Sequence, residues 1–267
     1  MVNWTVKKSY DCRDLAEIVR ILRHPGGCPW DQEQTHQSIR RNFLEEAYEA
    51  AEAIDQGDTD GLKEELGDVL LQVYFHTSIE EDAGRFTLDD VADGVCKKLI
   101  YRHPHVFGDV SVGSTGEVLS NWEELKKKEK HQSTQADVLD AVARSLPALW
   151  RAEKVQKKAV RAGAPWDGWD AAMDKLSEEL GEVKAAAAGE GDLAEKLGDL
   201  LFVTVCACAA AGIDPEEALH ANIEKDVARF RRVEELAAGQ GKATGQLSRE
   251  EFLALWAQAK AQLKHTC

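Results

Sequence analysis

Long apolar runs are missing from this 267-residue chain. A helix that crosses a bilayer needs roughly 20 consecutive apolar residues. The longest run here, 200–212, falls short and follows an acidic stretch, so it reads as a buried core helix. No basic start leads into an apolar segment at the beginning of the chain, and no signal peptide is expected. Proline and glycine are scarce, at 6 and 20 residues, while Ala, Leu, Glu and Lys crowd long stretches, which argues against an all-β protein. The six cysteines (Cys12, Cys28, Cys96, Cys206, Cys208 and Cys267) form no Cys-x-x-Cys pair. That scatter argues against structural zinc and fits reduced thiols in a cytoplasm. Positive charge is also short: 33 Lys and Arg face 48 Asp and Glu, for a net charge of −15. Such a surface repels phosphate backbones and anionic lipid, so neither direct nucleic-acid binding nor membrane association is expected. An anionic small substrate stays compatible where cations or local Lys and Arg mediate it.

What is present is helical. Start and stop signals predict helices over 35–53, 58–81, 87–103 and 116–130, then over 137–161, 170–188, 191–211, 215–238 and 249–264. Asp214-Pro215 supplies an N-cap followed by proline at the first helical position, and Ser248-x-x-Glu251 is a capping box. With no strand pattern, the expected fold class is all-α. The polar segment 131–135 suggests a boundary, with one domain over 1–132 and a second over 133–267.

The second half echoes the first. Glu45-Glu46-x-x-Glu49 recurs as Glu178-Glu179-x-x-Glu182, and Leu66-Gly67-Asp68 recurs as Leu197-Gly198-Asp199. Lys98-x-x-x-Arg102 recurs as Lys225-x-x-x-Arg229, and Trp122-x-x-x-Lys126 as Trp256-x-x-x-Lys260. The offsets are 133, 131, 127 and 134 residues, so order is kept and only loop lengths differ. Pro29-Trp30-Asp31 has its own partner in Pro165-Trp166-Asp167, at offset 136. Matches in one order indicate a tandem duplication of one helical bundle.

On a helix, positions three and four apart share a face. Glu45, Glu46 and Glu49 therefore lean to one side, and Glu65 and Asp68 do the same on the next predicted helix. The short turn around 57–60 lays these helices side by side, so four or five carboxylates face one another. Uncompensated, like charges raise each other's pKa and oppose folding. A hard divalent cation resolves the repulsion, and Mg²⁺ takes oxygen ligands while keeping sites for phosphate. The competing reading is a solvated acidic face. Against it, Glu65 and Asp68 directly precede the apolar run 69–73, and the second half repeats the acidic pattern.

Glu45-Glu46-x-x-Glu49, fifteen residues, then Glu65-x-x-Asp68 resembles the metal signature of the MazG nucleoside triphosphate pyrophosphohydrolases. Flanking segments agree: Gly27-Cys28-Pro29-Trp30-Asp31 before it, Arg102-His103-Pro104-His105-Val106-Phe107-Gly108-Asp109 after it, and Ser145-Leu146-Pro147 between the halves. The similarity runs from about residue 15 to 260. It implies tandem all-α MazG-like domains, a homodimer, Mg²⁺ dependence with Mn²⁺ as an alternative, and hydrolysis of a nucleoside triphosphate to the monophosphate and pyrophosphate. The metal set is expected to be Glu46, Glu49, Glu65 and Asp68, with Glu178, Glu179, Glu182 and Asp199 as the second set. Glu45, Glu46 and Glu49 are the expected catalytic carboxylates, Glu45 or another metal-free one orienting the water. Lys98, Arg102, Lys175, Lys225 and Arg229 are expected to meet phosphates, with Trp122, Lys126, Trp256 and Lys260 one step further out. The lysines and arginines also read as an exposed basic stripe, and the tryptophans as core. Trp30 is expected to anchor its loop, and His103 and His105 to cap a helix end.

The second half departs from the pattern at Lys196, where the motif places a glutamate. The adjacent Glu195 lies about 100° around the helix and does not substitute. The second site is therefore expected to bind fewer metals or to be impaired. Three other readings stay open: a relative specific for dUTP or phosphoribosyl-ATP, a non-catalytic helical regulatory protein, and a di-iron bundle built on Glu33-x-x-His36 and Glu217-x-x-His220. Base preference and cellular role are outside what these residues encode, although a nucleotide-pool cleansing role is what the two-domain resemblance implies.

Overall fold

Side-chain caps set where the helices begin. In the computed structural model, residues 4–130, 132–166 and 168–263 are described. Asp167 and Cys267, named above, lie outside the described residues, as do position 131 of the predicted boundary segment and the predicted helix end at 264. Asp11 accepts from the backbone of Arg13 and Asp14 to start α1 (Cys12–Arg23), and α2 (Pro29–Glu33) follows a proline at its first position. Thr35 and Ser38 cap each other reciprocally at the head of α3 (His36–Gln56). Gly57 then ends it in the left-handed region, φ 66°, which favours glycine. Asp58 caps α4 (Thr59–Asp82), and Thr87 with Asp90 forms a capping box on α5 (Leu88–Arg102). The short α6 (Pro104–Phe107) and α7 (Thr115–Glu129) complete the first half.

The second half runs through α8 (Gln135–Asp140), α9 (Ala148–Arg161), α10 (Trp169–Ala187), α11 (Leu193–Ala210), α12 (Pro215–Gly239) and α13 (Arg249–Leu263). No strand occurs among the described residues, so the fold is all-α. Two local expectations fail. The single helix predicted over 137–161 is two: α8 stops at Asp140, and α9 starts only after Pro147, which has no N–H to donate and steers the residue before it out of helical geometry. The helices α1 and α2 had no counterpart in the prediction, although Asp11-x-x-Asp14 carries a legible capping box.

The chain divides into two units between Lys126 and Lys127. In the first, α3 and α4 form a tight helical hairpin, and α1 packs on α4. Val19, Ile39, Tyr74 and Phe75 make its core, joined by Leu15, Leu71, Ile79 and Leu88. The hairpin is also held by a polar chain. His36 Nδ1 lies 2.7 Å from His76 Nδ1, and His36 Nε2 pairs with the buried Glu80, which is also bound by Arg85.

In the second unit α10 and α11 form the matching hairpin, with α9 against α11 and α12 against α13. The run 200–212 is the core helix expected of it: Val203, Val205, Cys206 and Ala207 of α11 are buried. Val233, Ala237, Leu255 and Ala259 make a second cluster between α12 and α13. Val233 is fully buried, worth roughly 1.5–3 kcal/mol relative to exposure. No single helix among the described residues is long and apolar enough to cross a membrane.

Candidate active site

The hairpin register decides which carboxylates meet. Glu46 and Glu49, one turn apart on α3, face Glu65 on α4, and one carboxylate oxygen from each lies within 4.8 Å of the others. Glu46 and Glu65 are half-buried, while Glu49 stands at the solvent edge. Burial pushes the Glu46 carboxyl above the usual range, and the charges of Asp68, Glu49 and Glu65 push it further. Glu65 is raised in the same way, first by desolvation and then by Glu49 and Asp68. Asp68, half-buried a turn after Glu65, thus belongs electrostatically to the cluster. Glu45 does not join it: its carboxylate accepts from Arg41 Nε at 2.7 Å.

These three oxygens suit a hard divalent ion. Their convergence is costly without positive charge, and carboxylate oxygen is the donor type that Mg²⁺ and Mn²⁺ prefer. Of the cationic residues expected to meet phosphate, Lys98 is exposed on α5 and Arg102 is buried at its end. The Arg102 guanidinium lies 5.3 Å from the Trp122 ring centroid, and Lys126 Nζ lies 4.6 Å from the same ring. Arg102, Trp122 and Lys126 therefore form one group, a cation–π assembly on the first unit. His103 caps α5, its Nδ1 2.7 Å from the Leu99 carbonyl oxygen, as expected. Trp30, expected to anchor its loop, is instead exposed.

The second unit arranges the same carboxylates differently. Lys175 Nζ lies 2.9 Å from Glu178 and 2.9 Å from the buried Glu179. Lys196 Nζ lies 2.8 Å from Glu182 and 3.4 Å from Asp199. Every carboxylate of the second set is thus ion-paired to a lysine, and both ammonium pKa values are raised, first by hydrogen bonds to their glutamate partners. Lys225 is exposed on α12, and Arg229 pairs with Asp226 at 2.7 Å. Trp256 stacks on Phe252 with centroids 6.0 Å apart and packs against the Val233 cluster, while Lys260 is exposed on α13.

Residues 34–107, which carry the first cluster, match the MazG nucleotide pyrophosphohydrolase domain. Residues 153–225 match the phosphoribosyl-ATP pyrophosphohydrolase domain. A protein of Escherichia coli (strain K12) named nucleoside triphosphate pyrophosphohydrolase is 41% identical over 253 residues, covering 93% of this chain and 96% of that one. The chain belongs to the MazG family. A Thermotoga maritima member, named nucleoside triphosphate pyrophosphohydrolase/pyrophosphatase MazG, is 40% identical over 247 residues, or 92% and 94% of the two chains. The uncharacterized Bacillus subtilis protein YabN is 46% identical over 246 residues, and this chain spans half of its length.

Within this MazG-family chain, several groups escaped prediction. Lys175 was expected at phosphate but is a counter-ion, although its spacing of three and four from Glu178 and Glu179 is legible on a helix. The pairing of Lys196 with Glu182 crosses the hairpin and depends on register, which no sequence spacing states. His36, placed in a di-iron motif with Glu33, instead meets His76 and Glu80 of α4.

Proposed function

We propose that the first unit hydrolyses nucleoside triphosphates to the monophosphate and pyrophosphate, and that Glu46, Glu49, Glu65 and Asp68 hold the divalent ion, Mg²⁺ or Mn²⁺, that this reaction requires. The observation that carries the reading is the convergence of Glu46, Glu49 and Glu65 to within 4.8 Å across one hairpin. A bound divalent ion supplies the positive charge that brings a triphosphate to a cluster otherwise repelling it.

The chain's own residues supply the rest. A water oxygen joins phosphorus as the bond between the α- and β-phosphates breaks, so the water must lose a proton. Whichever of the carboxylates Glu45, Glu46 and Glu49 keeps an oxygen free of the ion takes it. Arg102 and Lys98 offset charge on the departing pyrophosphate. Trp122, already faced by Arg102 and Lys126, presents an aromatic wall for the base. Broad use of nucleoside triphosphates and a nucleotide-pool cleansing role are part of the same proposal, the first in keeping with relatives named nucleoside triphosphate pyrophosphohydrolase.

Homodimerisation belongs to the same reading. Leu44 and Tyr48 on α3, Leu66 and Leu70 on α4, and Val91, Val95 and Leu99 on α5 are large apolar side chains left exposed, each set at helical spacing. A second copy is the occupant proposed for this apolar surface, in line with the resemblance, and light scattering at twice the 29.5 kDa chain mass is the expected result.

Phosphorus NMR of the products tests the reaction class. The expected signals are monophosphate and pyrophosphate from each triphosphate, with none in EDTA. Diphosphate and inorganic phosphate would contradict the reading.

A further inference from the structure

The α3–α4 hairpin is repulsive in its middle and fastened at both ends. Glu46, Glu49 and Glu65 converge within 4.8 Å and, without a cation, push the two helices apart. At one end the turn after Gln56 joins the helices covalently. At the other, His36, the first residue of α3, meets His76 and Glu80 of α4. On α4, positions 65, 68, 72, 76 and 80 follow one another at steps of three and four, so the histidine tie continues the seam that holds the carboxylates.

The second unit has neither feature. Its carboxylates are paired to Lys175 and Lys196. At the offsets of 133 and 131 residues that relate the two hairpins, Trp169, Ala207 and Ala211 replace His36, His76 and Glu80. The tie thus accompanies the cluster that its own lysines do not neutralise.

The His36 and His76 ring planes are 10° apart, with centroids 5.0 Å apart and Nδ1 atoms 2.7 Å apart. Those distances set both nitrogens on the line between the rings, the geometry of one in-line N–H···N hydrogen bond. A single proton lies in it. Glu80, held by Arg85 at 2.7 Å, accepts from His36 Nε2. In the neutral pair, therefore, His36 Nδ1 accepts from His76 Nδ1, and His76 Nε2 carries the lone pair. A first added proton enters there and leaves the bond intact. A second places N–H on both facing nitrogens and breaks it.

The surroundings oppose that second charge. Phe43 of α3 meets the His76 ring edge-on at 5.8 Å, and burial, then the charge of His36, hold the His76 pKa below 6.5. Glu80 and Arg85 are the charged groups on His36. From α1, Arg23 turns to Ser78 and Asp82, and His24 to Asp82, while α5 brings Leu88 to the apolar core.

We propose that the His36–His76 hydrogen bond, anchored by Glu80, is a proton-sensitive strap that holds the hairpin closed against its carboxylates, so that divalent-ion affinity falls when the pair takes up its second proton. His36 and His76 are positioning residues, and their role rests on the metal reading of Glu46, Glu49 and Glu65.

The test uses the full chain labelled with ¹⁵N. In EDTA at pH 8, a scalar coupling across the hydrogen bond between the two Nδ1 nuclei is expected, and its loss in acid reports the second proton. Mg²⁺ should move that loss to lower pH, because an ion that favours the closed hairpin disfavours the proton that opens it. Glu49→Ala/Glu65→Ala should abolish the shift. His76→Ala should weaken Mn²⁺ binding, followed by electron paramagnetic resonance at pH 8, roughly fivefold, the worth of one net hydrogen bond. His76→Asn keeps an amide donor at the Nδ1 position and does not titrate. It should match the wild type at pH 8 and hold Mn²⁺ more tightly than the wild type where the coupling is lost. No coupling at pH 8, a midpoint that Mg²⁺ does not move, or Mn²⁺ affinity unchanged by His76→Ala would overturn the proposal. A wild type that binds no Mn²⁺ would overturn the metal reading and the strap together. Mn²⁺ bound equally by the wild type and His76→Ala would overturn the strap alone. The coupling in the wild type depends on no variant's folding.

Discussion

Lys196 and Glu182 form an ion pair of 2.8 Å across the α10–α11 hairpin, at the positions where the first unit sets Glu65 against Glu49. One exchange of glutamate for lysine converts a repulsive contact that calls for a metal into an attractive one that does not. Glu65→Lys, which imposes the second unit's chemistry on the first, should lower turnover on the order of 100-fold or more, as loss of a principal charge-stabilising group does. Initial rates at saturating Mg²⁺, with helix content checked by circular dichroism, measure it.

Repulsion in the first cluster has a stability consequence with a defined sign. Glu46 and Glu65 have folded-state pKa values raised above the ordinary 4.5. Their contribution is therefore favourable below that value and is lost as pH rises through the raised one. Glu65→Gln should melt higher than the wild type in EDTA at neutral pH, with the advantage vanishing as the solution is acidified below the ordinary 4.5. Mg²⁺ should raise the wild-type melting temperature and leave the variant nearly unmoved. Thermal melts across pH with and without Mg²⁺ read both effects.

The polar chain of the first hairpin predicts acid sensitivity in two windows. Glu80, bound by Arg85 and His36, is held down to about 2. Its stabilisation is complete above the ordinary carboxylate value of 4.5 and is lost as pH falls toward 2. His76 is lowered from 6.5 by burial and then by His36, so the unfolded chain takes up the proton first, and stability declines as pH drops below 6.5. Glu80→Gln should shrink the lower window, to which Glu251, also held down to about 2, contributes from the second unit, and should keep the upper. Urea midpoints between pH 3 and 8 would show it, and an unchanged lower window would contradict the assignment.

The core of the second unit gives a prediction independent of chemistry. Leu255 is buried between Val233, Ala237 and Ala259. Leu255→Ala should destabilise that unit by about 2–5 kcal/mol through lost transfer energy and a residual cavity. Denaturant unfolding is the measurement.

Much of this architecture is local and therefore legible in sequence. Thr35, Asp58, Thr87 and Asp214 cap helices through residues two or three positions away, so their helices could be bounded by spacing alone. The break at Pro147 was readable from proline's missing donor, yet periodic apolar residues on both sides masked it. Carboxylates on one helix face, such as Glu46 and Glu49, follow from helical geometry. Which of them meet Glu65, and that Glu45 turns to Arg41, depends on hairpin register and on competition among neighbours. The tie from His36 to His76 and Glu80 spans 40 and 44 residues and has no local trace.

The central claim is that hydrolysis belongs to the first unit and not to the second. Steady-state turnover of a nucleoside triphosphate with Mg²⁺, measured for the wild type, Glu49→Ala and Glu182→Ala in parallel, tests it directly. The account predicts near-complete loss with Glu49→Ala and wild-type rates with Glu182→Ala. Loss with Glu182→Ala and retention with Glu49→Ala would contradict it, placing the chemistry on the carboxylates that Lys175 and Lys196 now hold.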